Sequence, residues 1–361
     1  MSALVTTPFG ARATARDVVD GVDLGGRRYV VTGGGSGIGA ETVRALAGAG
    51  ADVVIGVRDT SRAQAFVDEV SSRDARGTVT AVSLDLADLA SVQSFSSGWE
   101  GPLDGLVANA GIMAIPTREL TPGGWELQLA TNFLGHFALA SGLHDALASA
   151  AQARIAVVSS TAHLRSPFVF DDPHFEVRPY DRWAAYAQSK TADVLLAVAA
   201  SRRWADDGIT ANALMPGWIT TNLQRHLDDA TLRAMGAMDE TGNRIEQDFF
   251  KTPEQGAATS VLLVASPLVA GVSGRYFEDN QEAETIQETE GHNVGVAAHA
   301  VDPDAAERLW DYADRALRDR KIWRVRARTT PRTDVDKARN HRWHRAAPGS
   351  AALVTGGPRG G

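Results

Sequence analysis

Tyr186 and Lys190 stand four residues apart in a helical stretch, which puts a phenol and an ammonium on one face. A free phenol titrates near about 10 and exchanges protons poorly at neutral pH. A neighbouring ammonium favours the phenolate and is expected to bring that value down toward the working range. Tyr186 would then give a proton to a carbonyl oxygen as hydride arrives, or take one from an alcohol in reverse. Ser159 and Ser160 end the apolar run Ile155-Ala156-Val157-Val158. A hydroxyl at a strand's carboxyl end can donate to a developing oxyanion, or simply be a polar strand terminus. Asn132 opens the pattern Asn132-Phe133-Leu134-Gly135-His136-Phe137, where its amide either holds a water or caps a backbone group.

A second constellation binds rather than reacts. Thr32-Gly33-Gly34-Gly35-Ser36-Gly37-Ile38-Gly39 follows the apolar run Tyr29-Val30-Val31 and opens a helical pattern. Strand, glycine turn and helix form the context of a dinucleotide loop, in which bare backbone approaches a pyrophosphate and helix-start amides face its charge. Asn109-Ala110-Gly111 follows another strand, and a tight turn explains it equally well. Asp85 either accepts from an adenine amine or caps the next segment.

The elements that must position these groups alternate. Strands are predicted at Arg28–Thr32, Asp52–Val57, Thr78–Leu84, Leu103–Asn109, Arg154–Ser159, Ile209–Met215 and Arg275–Phe277. Helices are predicted near Gly37–Ala49, Ser61–Ser71, Asp88–Ser97, Trp125–Ala150, Trp183–Ala205 and Pro253–Ala265, with a short one at Thr14–Asp20. Strands apolar throughout are buried on both faces, as in a parallel sheet. The reading is a single α/β domain, a doubly wound Rossmann-type parallel sheet flanked by helices, with ligands at the strands' carboxyl ends. Residues 1–26 form an N-terminal arm, 27–317 the dinucleotide-binding catalytic domain and 318–361 a basic flexible tail. Two long connections, Ser166 to Tyr180 and Gly217 to Lys251, are expected to wall the substrate site.

Composition excludes several classes. With zero cysteines there are no disulfides and no thiolate chemistry, which fits a cytoplasmic protein. No membrane span, secretion signal or metal-ligand spacing is evident. From Arg318 onward there are twelve Lys/Arg against three Asp/Glu, leaving 24 against 41 in the rest. An acidic body argues against nucleic acid as the main partner. The basic tail is read first as a solvated extension; RNA, an anionic membrane or the acidic body are its other possible contacts.

Taken together, the motifs resemble those of the classical short-chain dehydrogenase/reductase family, in the family's order, from roughly Thr14 to Leu317. They are Thr-Gly-x-x-x-Gly-x-Gly at Thr32–Gly39, Asp85-Leu86, Asn109–Gly111, Asn132, Ser160, Tyr186–Lys190 and Pro216-Gly217. The chain is most similar to the retinol dehydrogenase and WW-domain oxidoreductase-like branch. Asn132 to Phe137, Ser159 to His163, Pro216-Gly217-Trp218-Ile219 and Lys251 to Ser260 carry that likeness. Two departures stand out: Gly34-Gly35 replaces the branch's usual Ala-Asn, and Met215 replaces its usual His. The resemblance implies Tyr186 as the acid–base residue and Lys190 also on the nicotinamide ribose. It implies Ser160, the second serine, on the substrate oxygen and Asn132 supporting a relay water. It places cofactor contacts at Thr32, Gly33, Gly35, Ser36, Gly37, Ile38, Gly39, Arg58, Asp85, Leu86, Asn109, Ala110, Gly111, Pro216, Gly217 and Ile219. It also implies a homo-oligomer formed through the Tyr186 helix and the helix near Trp125–Ala150.

The second strand, Val54-Ile55-Gly56-Val57, ends in Arg58 rather than an acid for the free ribose hydroxyls of NAD. Arg58, backed by Arg62, suits a 2′-phosphate, so NADP is favoured, with NAD left open by Asp59. Leu164, Phe168, Trp218, Leu223 and Phe249 suggest a pocket for a small apolar alcohol or carbonyl substrate. The alternatives are epimerase or dehydratase chemistry on a nucleotide sugar, and a non-catalytic NAD(P)-binding scaffold or redox-sensing protein.

Overall fold

The computed structural model describes residues 3–72, 75–150, 152–245 and 247–319. Apolar β-branched runs buried on both faces make the central strands. In β1 (Arg28–Thr32) only Arg28 is not buried, and β4 (Gly105–Ala108) and β5 (Arg154–Val158) are nearly as enclosed. With β2 (Asp52–Val57), β3 (Val79–Ser83), β6 (Thr210–Met215) and β7 (Tyr276–Glu278) they form one sheet. An eighth strand, β8 (Gln281–Glu282), adds at the edge, giving the order β3-β2-β1-β4-β5-β6-β7-β8. All pairs are parallel except β7–β8. The seven predicted strands appear within two residues of their expected ends. The eighth was not predicted. It exists because Asp279 and Asn280 both take positive φ, 52° and 65°, which turns the chain straight back as a tight hairpin does.

Helices cover both faces. Beyond α1 (Ala15–Val18), α2 (Gly37–Gly48), α3 (Thr60–Ser72) and α4 (Leu89–Ser97) come as the sequence leads one to expect. The predicted helix over 125–150 is instead broken into α5 (Leu127–Leu129), a π turn (Ala130–Leu134), α6 (Gly135–Gly142) and α7 (His144–Ser149). The long α8 (Arg182–Arg203) carries Tyr186 and Lys190 and is buried continuously from Ala185 to Ala200. After it come α9 (Asp229–Ala234), α10 (Pro253–Gly256) and α11 (Ala258–Ala265). Val43, Leu46, Val261 and Leu262 from α2 and α11 pack on one face of the sheet; Phe133, Phe137, Leu195 and Leu196 pack on the other.

A final helix, α12 (Pro303–Arg318), was not anticipated. Asp302 caps it, Pro303 starts it, and Ala306, Leu309, Ala313 and Leu317 form its buried stripe. Trp310 meets Phe137 edge-on at 4.8 Å and Trp204 at 5.1 Å, and Arg203 pairs with Glu307 and Asp311. The helix therefore lies over α6 and α8, the two helices through which a homo-oligomer was expected. In this chain that face is occupied by its own last helix. The basic tail expected over 318–361 falls outside the described residues beyond Asp319.

The N-terminal arm is stitched to the opposite end of the chain. Val5 N–H donates to Glu282 and Thr7 N–H to Gln281, each at 2.8 Å. Arg12 donates to the Phe250 carbonyl at 2.6 Å, which also holds down one end of the 217–251 connection. Among the described residues no helix is long and apolar enough to cross a membrane, and no cluster of His, Asp or Glu is placed to hold a metal.

Candidate active site

The carboxyl ends of β1, β2, β4, β5 and β6 open into a cleft of about 1570 Å³. That exceeds the roughly 300–1,000 Å³ of an ordinary small-molecule pocket and leaves room for a dinucleotide and a substrate together.

The floor is a neutral network. Thr32 Oγ1 accepts the N–H groups of Asn109 and Ala110, both at 2.9 Å, and Asn109 Nδ2 donates to the Thr32 carbonyl at 2.9 Å. Thr32 then meets His136 Nε2 at 2.9 Å, and His136 Nδ1 meets the Asn132 carbonyl at 2.7 Å. With two amides already on Thr32 Oγ1, its hydroxyl donates to Nε2 and Nδ1 carries the ring proton. Burial holds His136 down to about 4, so it stays neutral at physiological pH. Thr32 and Asn132 thus lie beneath the cleft, fully buried, rather than lining it.

Asn132 makes the backbone cap that was one of its two sequence readings. Its Oδ1 accepts from Ile112 N–H at 2.9 Å; its Nδ2 donates to the Ile112 carbonyl at 3.0 Å and to Ser189 Oγ at 2.9 Å. Both amide hydrogens are spent on protein groups, so the side chain caps backbone and ties the π turn to α8. The expected water-holding role finds no free donor on this amide. The π turn supplies the extra residue that swings Asn132 inward, the use such turns often have near functional sites.

Above the floor lies the cradle. Gly33, Gly35, Ser36, Gly37, Ile38 and Gly39 line the cleft. A Cβ on Gly39 would strike the Gly33 carbonyl, so only glycine lets α2 start this close to β1. A Cβ on Gly34 would stand 2.6 Å from Ile55 Cγ2, which accounts for glycine where alanine is usual. No side chain caps the start of α2 and its first turn holds no acid, so the positive end of the helix faces the cleft unneutralised. The residues present fit a dinucleotide pyrophosphate. Arg58, Asp85, Leu86, Asn109, Ala110, Gly111, Pro216, Gly217 and Ile219 also line the cleft, as expected. Asp85 commits Oδ1 to Ala87 N–H at 2.9 Å, the local cap that was its second reading.

Asp59, the one argument for NAD, lines the cleft beside Arg58 but is engaged with the start of α3. Its Oδ1 accepts from Ser61 N–H, Ser61 Oγ and Arg62 N–H at the start of α3, and its Oδ2 pairs with Arg62 at 3.2 Å. Arg58 remains on the cleft, joined by Arg225 from the 217–251 connection, which sequence reasoning missed.

The catalytic wall separates the two serines. Strand alternation turns Ser159 inward, where its Oγ donates to the Lys190 carbonyl at 2.8 Å. Ser160 faces the cleft beside Tyr186, and its hydroxyl accepts from Ala162 N–H at 3.2 Å. Ser160, Tyr186 and Lys190 are together on the cleft wall. Lys190 Nζ lies 5.8 Å from the Tyr186 ring centre and donates to the Val158 carbonyl at 2.9 Å and to Asp193 Oδ2 at 2.8 Å.

The expected lowering of the phenol pKa is not what the structure shows. Burial raises Tyr186 above its ordinary value; Lys190 and Ser160 pull it down without prevailing, and Asp193 adds to the rise. Burial also opposes the Lys190 ammonium, but Asp193 and Tyr186 outweigh it and hold the charge. Burial raises Asp193 to about 7 against the pull of Lys190. Asp193 went unremarked in the sequence, although i+3 spacing from Lys190 puts it on the same helical face.

The substrate wall also differs from expectation. Trp218 and Leu223 line the cleft, but Leu164 and Phe168 belong to the core, where Phe168 packs on Phe170 and Tyr312. Phe249 lies outside, 56% exposed, against Trp218 and Phe250. Their places are taken by Met113, Ile115, Leu127, Trp183 and Met235.

Comparison with known proteins agrees with this geometry. The family model for short chain dehydrogenase matches residues 27–231. A probable oxidoreductase of Streptomyces antibioticus is 65% identical over 297 residues, 82% of this chain and 99% of its own length. Human retinol dehydrogenase 14 is 36% identical over 306 residues, 80% of this chain and 85% of its own. The solved Pseudomonas aeruginosa RhlG/NADP active-site complex aligns with a TM-score of 0.55 at 25% identity, over 72% of this chain and 96% of that one. A glycine cradle facing an uncapped helix start, beside a serine–tyrosine–lysine wall, is thus found in a chain that belongs to the short-chain dehydrogenase/reductase family, whose members are NAD(P)-dependent oxidoreductases.

Proposed function

We propose that this protein transfers hydride between NADP(H) and a small apolar carbonyl or alcohol, with Tyr186 as the general acid and base. The observation that carries this reading is that Ser160, Tyr186 and Lys190 line one wall of the cleft that the glycine cradle opens into. Two hydroxyls on one wall make a seat in which both can turn to a carbonyl oxygen. When bound, the nicotinamide supplies or accepts the hydride. Ser160 orients the substrate oxygen, and Tyr186 gives it a proton in reduction or removes one in oxidation. Lys190 holds the ribose and stabilises the phenolate, while Asn132 holds the π turn against α8. Arg58 at the end of β2, with the neighbouring Asp59 occupied by Ser61 and Arg62, supports a 2′-phosphate and hence NADP. The apolar side chains Met113, Ile115, Leu127, Trp183, Trp218 and Leu223 support an apolar substrate.

The test is NADPH oxidation, alongside NADH, over a panel of apolar aldehydes and ketones, with Tyr186→Phe beside the wild type. A loss of about 10³ in kcat with NADPH binding unchanged is expected. Equal turnover by the variant would remove Tyr186 from its role. Tight NADPH binding with no turnover on any carbonyl would favour the scaffold reading instead.

A further inference from the structure

Asp193 is a charge that the proton transfer above does not use. It lies one turn beyond Lys190 on α8 and is 1% exposed. One carboxylate oxygen takes a hydrogen from Lys190 Nζ at 2.8 Å; the other, Oδ1, is buried with no hydrogen-bond partner. A carboxylate out of water with an oxygen unsatisfied is costly, and an amide of the same shape would be cheaper. It caps no helix and closes no turn. Two of the three Lys190 donors are spent inside the protein, on Val158 and Asp193. Viewed from the phenol, the ammonium pulls down more than its carboxylate pushes up, so Asp193 offsets Lys190 in part and burial outweighs the remainder.

We propose that Asp193 is a positioning residue of the acid–base centre: by anchoring Lys190 and offsetting part of its charge it favours the protonated Tyr186 phenol, which biases the enzyme toward proton donation and carbonyl reduction. The clause on reduction rests on the function proposed above; the electrostatic claim does not. The other titratable groups around the pair do not supply this charge. His136 on α6 is neutral, held down to about 4 by burial, and so is His163 on the turn after β5. Tyr276 on β7 is pushed well up by burial, with the Glu278 carboxylate behind it.

Asp193→Asn keeps the shape and an acceptor for Lys190 and removes only the charge. The readout is the phenolate absorbance titration of Tyr186, taken as the difference between each protein and its Tyr186→Phe counterpart, without cofactor or substrate. Tyr186 titrates well above the pH at which Asp193 ionises, so the carboxylate is charged throughout the wild-type curve. Asp193→Asn is expected to move the Tyr186 midpoint down by about one pH unit, a tenfold change in the phenolate equilibrium. With NADPH and a carbonyl substrate, the alkaline limb of the reduction profile should move acidward by the same amount, and alcohol oxidation at neutral pH should rise relative to reduction. A midpoint unchanged in folded Asp193→Asn overturns the proposal. If that variant does not fold, the doubly neutral Lys190→Met/Asp193→Asn carries the test. A Tyr186 midpoint raised by less than one pH unit is then expected, because the pair's residual net pull on the phenol is lost along with both charges. A rise of a unit or more would show that Lys190 acts unopposed and would overturn the proposal. Absence of turnover in the wild type would instead count against the proposed function and leave the titration intact.

Discussion

Thr32 lies buried beneath the cleft and Lys190 buried in its wall, and they are held in place by opposite means. Thr32 sits in a network without a formal charge, where the amides of Asn109 and Ala110, the ring of His136 and the Asn132 carbonyl satisfy one another. Lys190 sits against a carboxylate with an orphaned oxygen. The floor has only to keep its shape under a cofactor, and a closed set of neutral hydrogen bonds does that without leaving a group unpaired. In the function proposed, the wall changes protonation state during turnover, and that requires groups whose charged and neutral forms are close in free energy. Order is stored in the first region and chemical strain in the second.

Substitutions that remove charge from the wall should therefore cost more than those that trim the floor. Lys190→Met leaves Asp193 buried without its cation, so that it must take up a proton or stay unpaired, and is expected to lower unfolding free energy by about 3–5 kcal/mol at pH 8, measured by denaturant unfolding. Thr32→Val, which leaves two amides without an acceptor, should cost only about 1–3 kcal/mol in the same assay. A larger loss from Thr32→Val than from Lys190→Met would reverse the comparison. Within the wall, Ser160→Ala is expected to lower kcat by about 10²–10³, whereas Ser159→Ala, which loses only a bond to the Lys190 carbonyl, should change it by less than about threefold.

The floor has its own pH signature. His136 and His163 are held down to about 4 by burial, so both stay neutral when folded and take up protons on unfolding. A depressed histidine favours folding above its unfolded value of about 6.5, and that contribution is lost as the pH falls from about 6.5 to 4. Each should account for about 2–3 kcal/mol of lost stability across that window. A flat stability profile between pH 6.5 and 4 would show that neither ring has to remain neutral. The smallest effect is expected at the cradle's rim. Arg58→Ala should weaken NADPH binding by about 10-fold and leave NADH binding within twofold, as read by fluorescence titration.

Much of this was legible in the residues themselves. The seven main strands announced themselves because runs such as Tyr29-Val30-Val31 and Ile155-Ala156-Val157-Val158 are apolar on both faces. β8 escaped because a two-residue strand has no periodicity; it follows from the Asp279-Asn280 turn. α12 escaped although its Asp302-Pro303 start and its 306, 309, 313, 317 stripe were present to be read. The break in 125–150 left no trace, since one extra residue in a helical turn is decided by what packs around Asn132. Leu164, Phe168 and Phe249 illustrate a general ambiguity: an apolar side chain in a loop can line a cavity, fill a core or face solvent, and its identity does not distinguish them.

The residues alone determined the order of the elements, the glycine cradle and the identity of the reacting groups, because strand and helix periods and the chemistry of phenols, ammonium ions and hydroxyls are local properties. Tertiary structure decided where the Ser159 hydroxyl is spent, which face α12 covers, and in which direction the phenol's proton affinity moves. Those outcomes depend on which groups are removed from water and which partners they meet there. Desolvation and long-range pairing are properties of the packed chain.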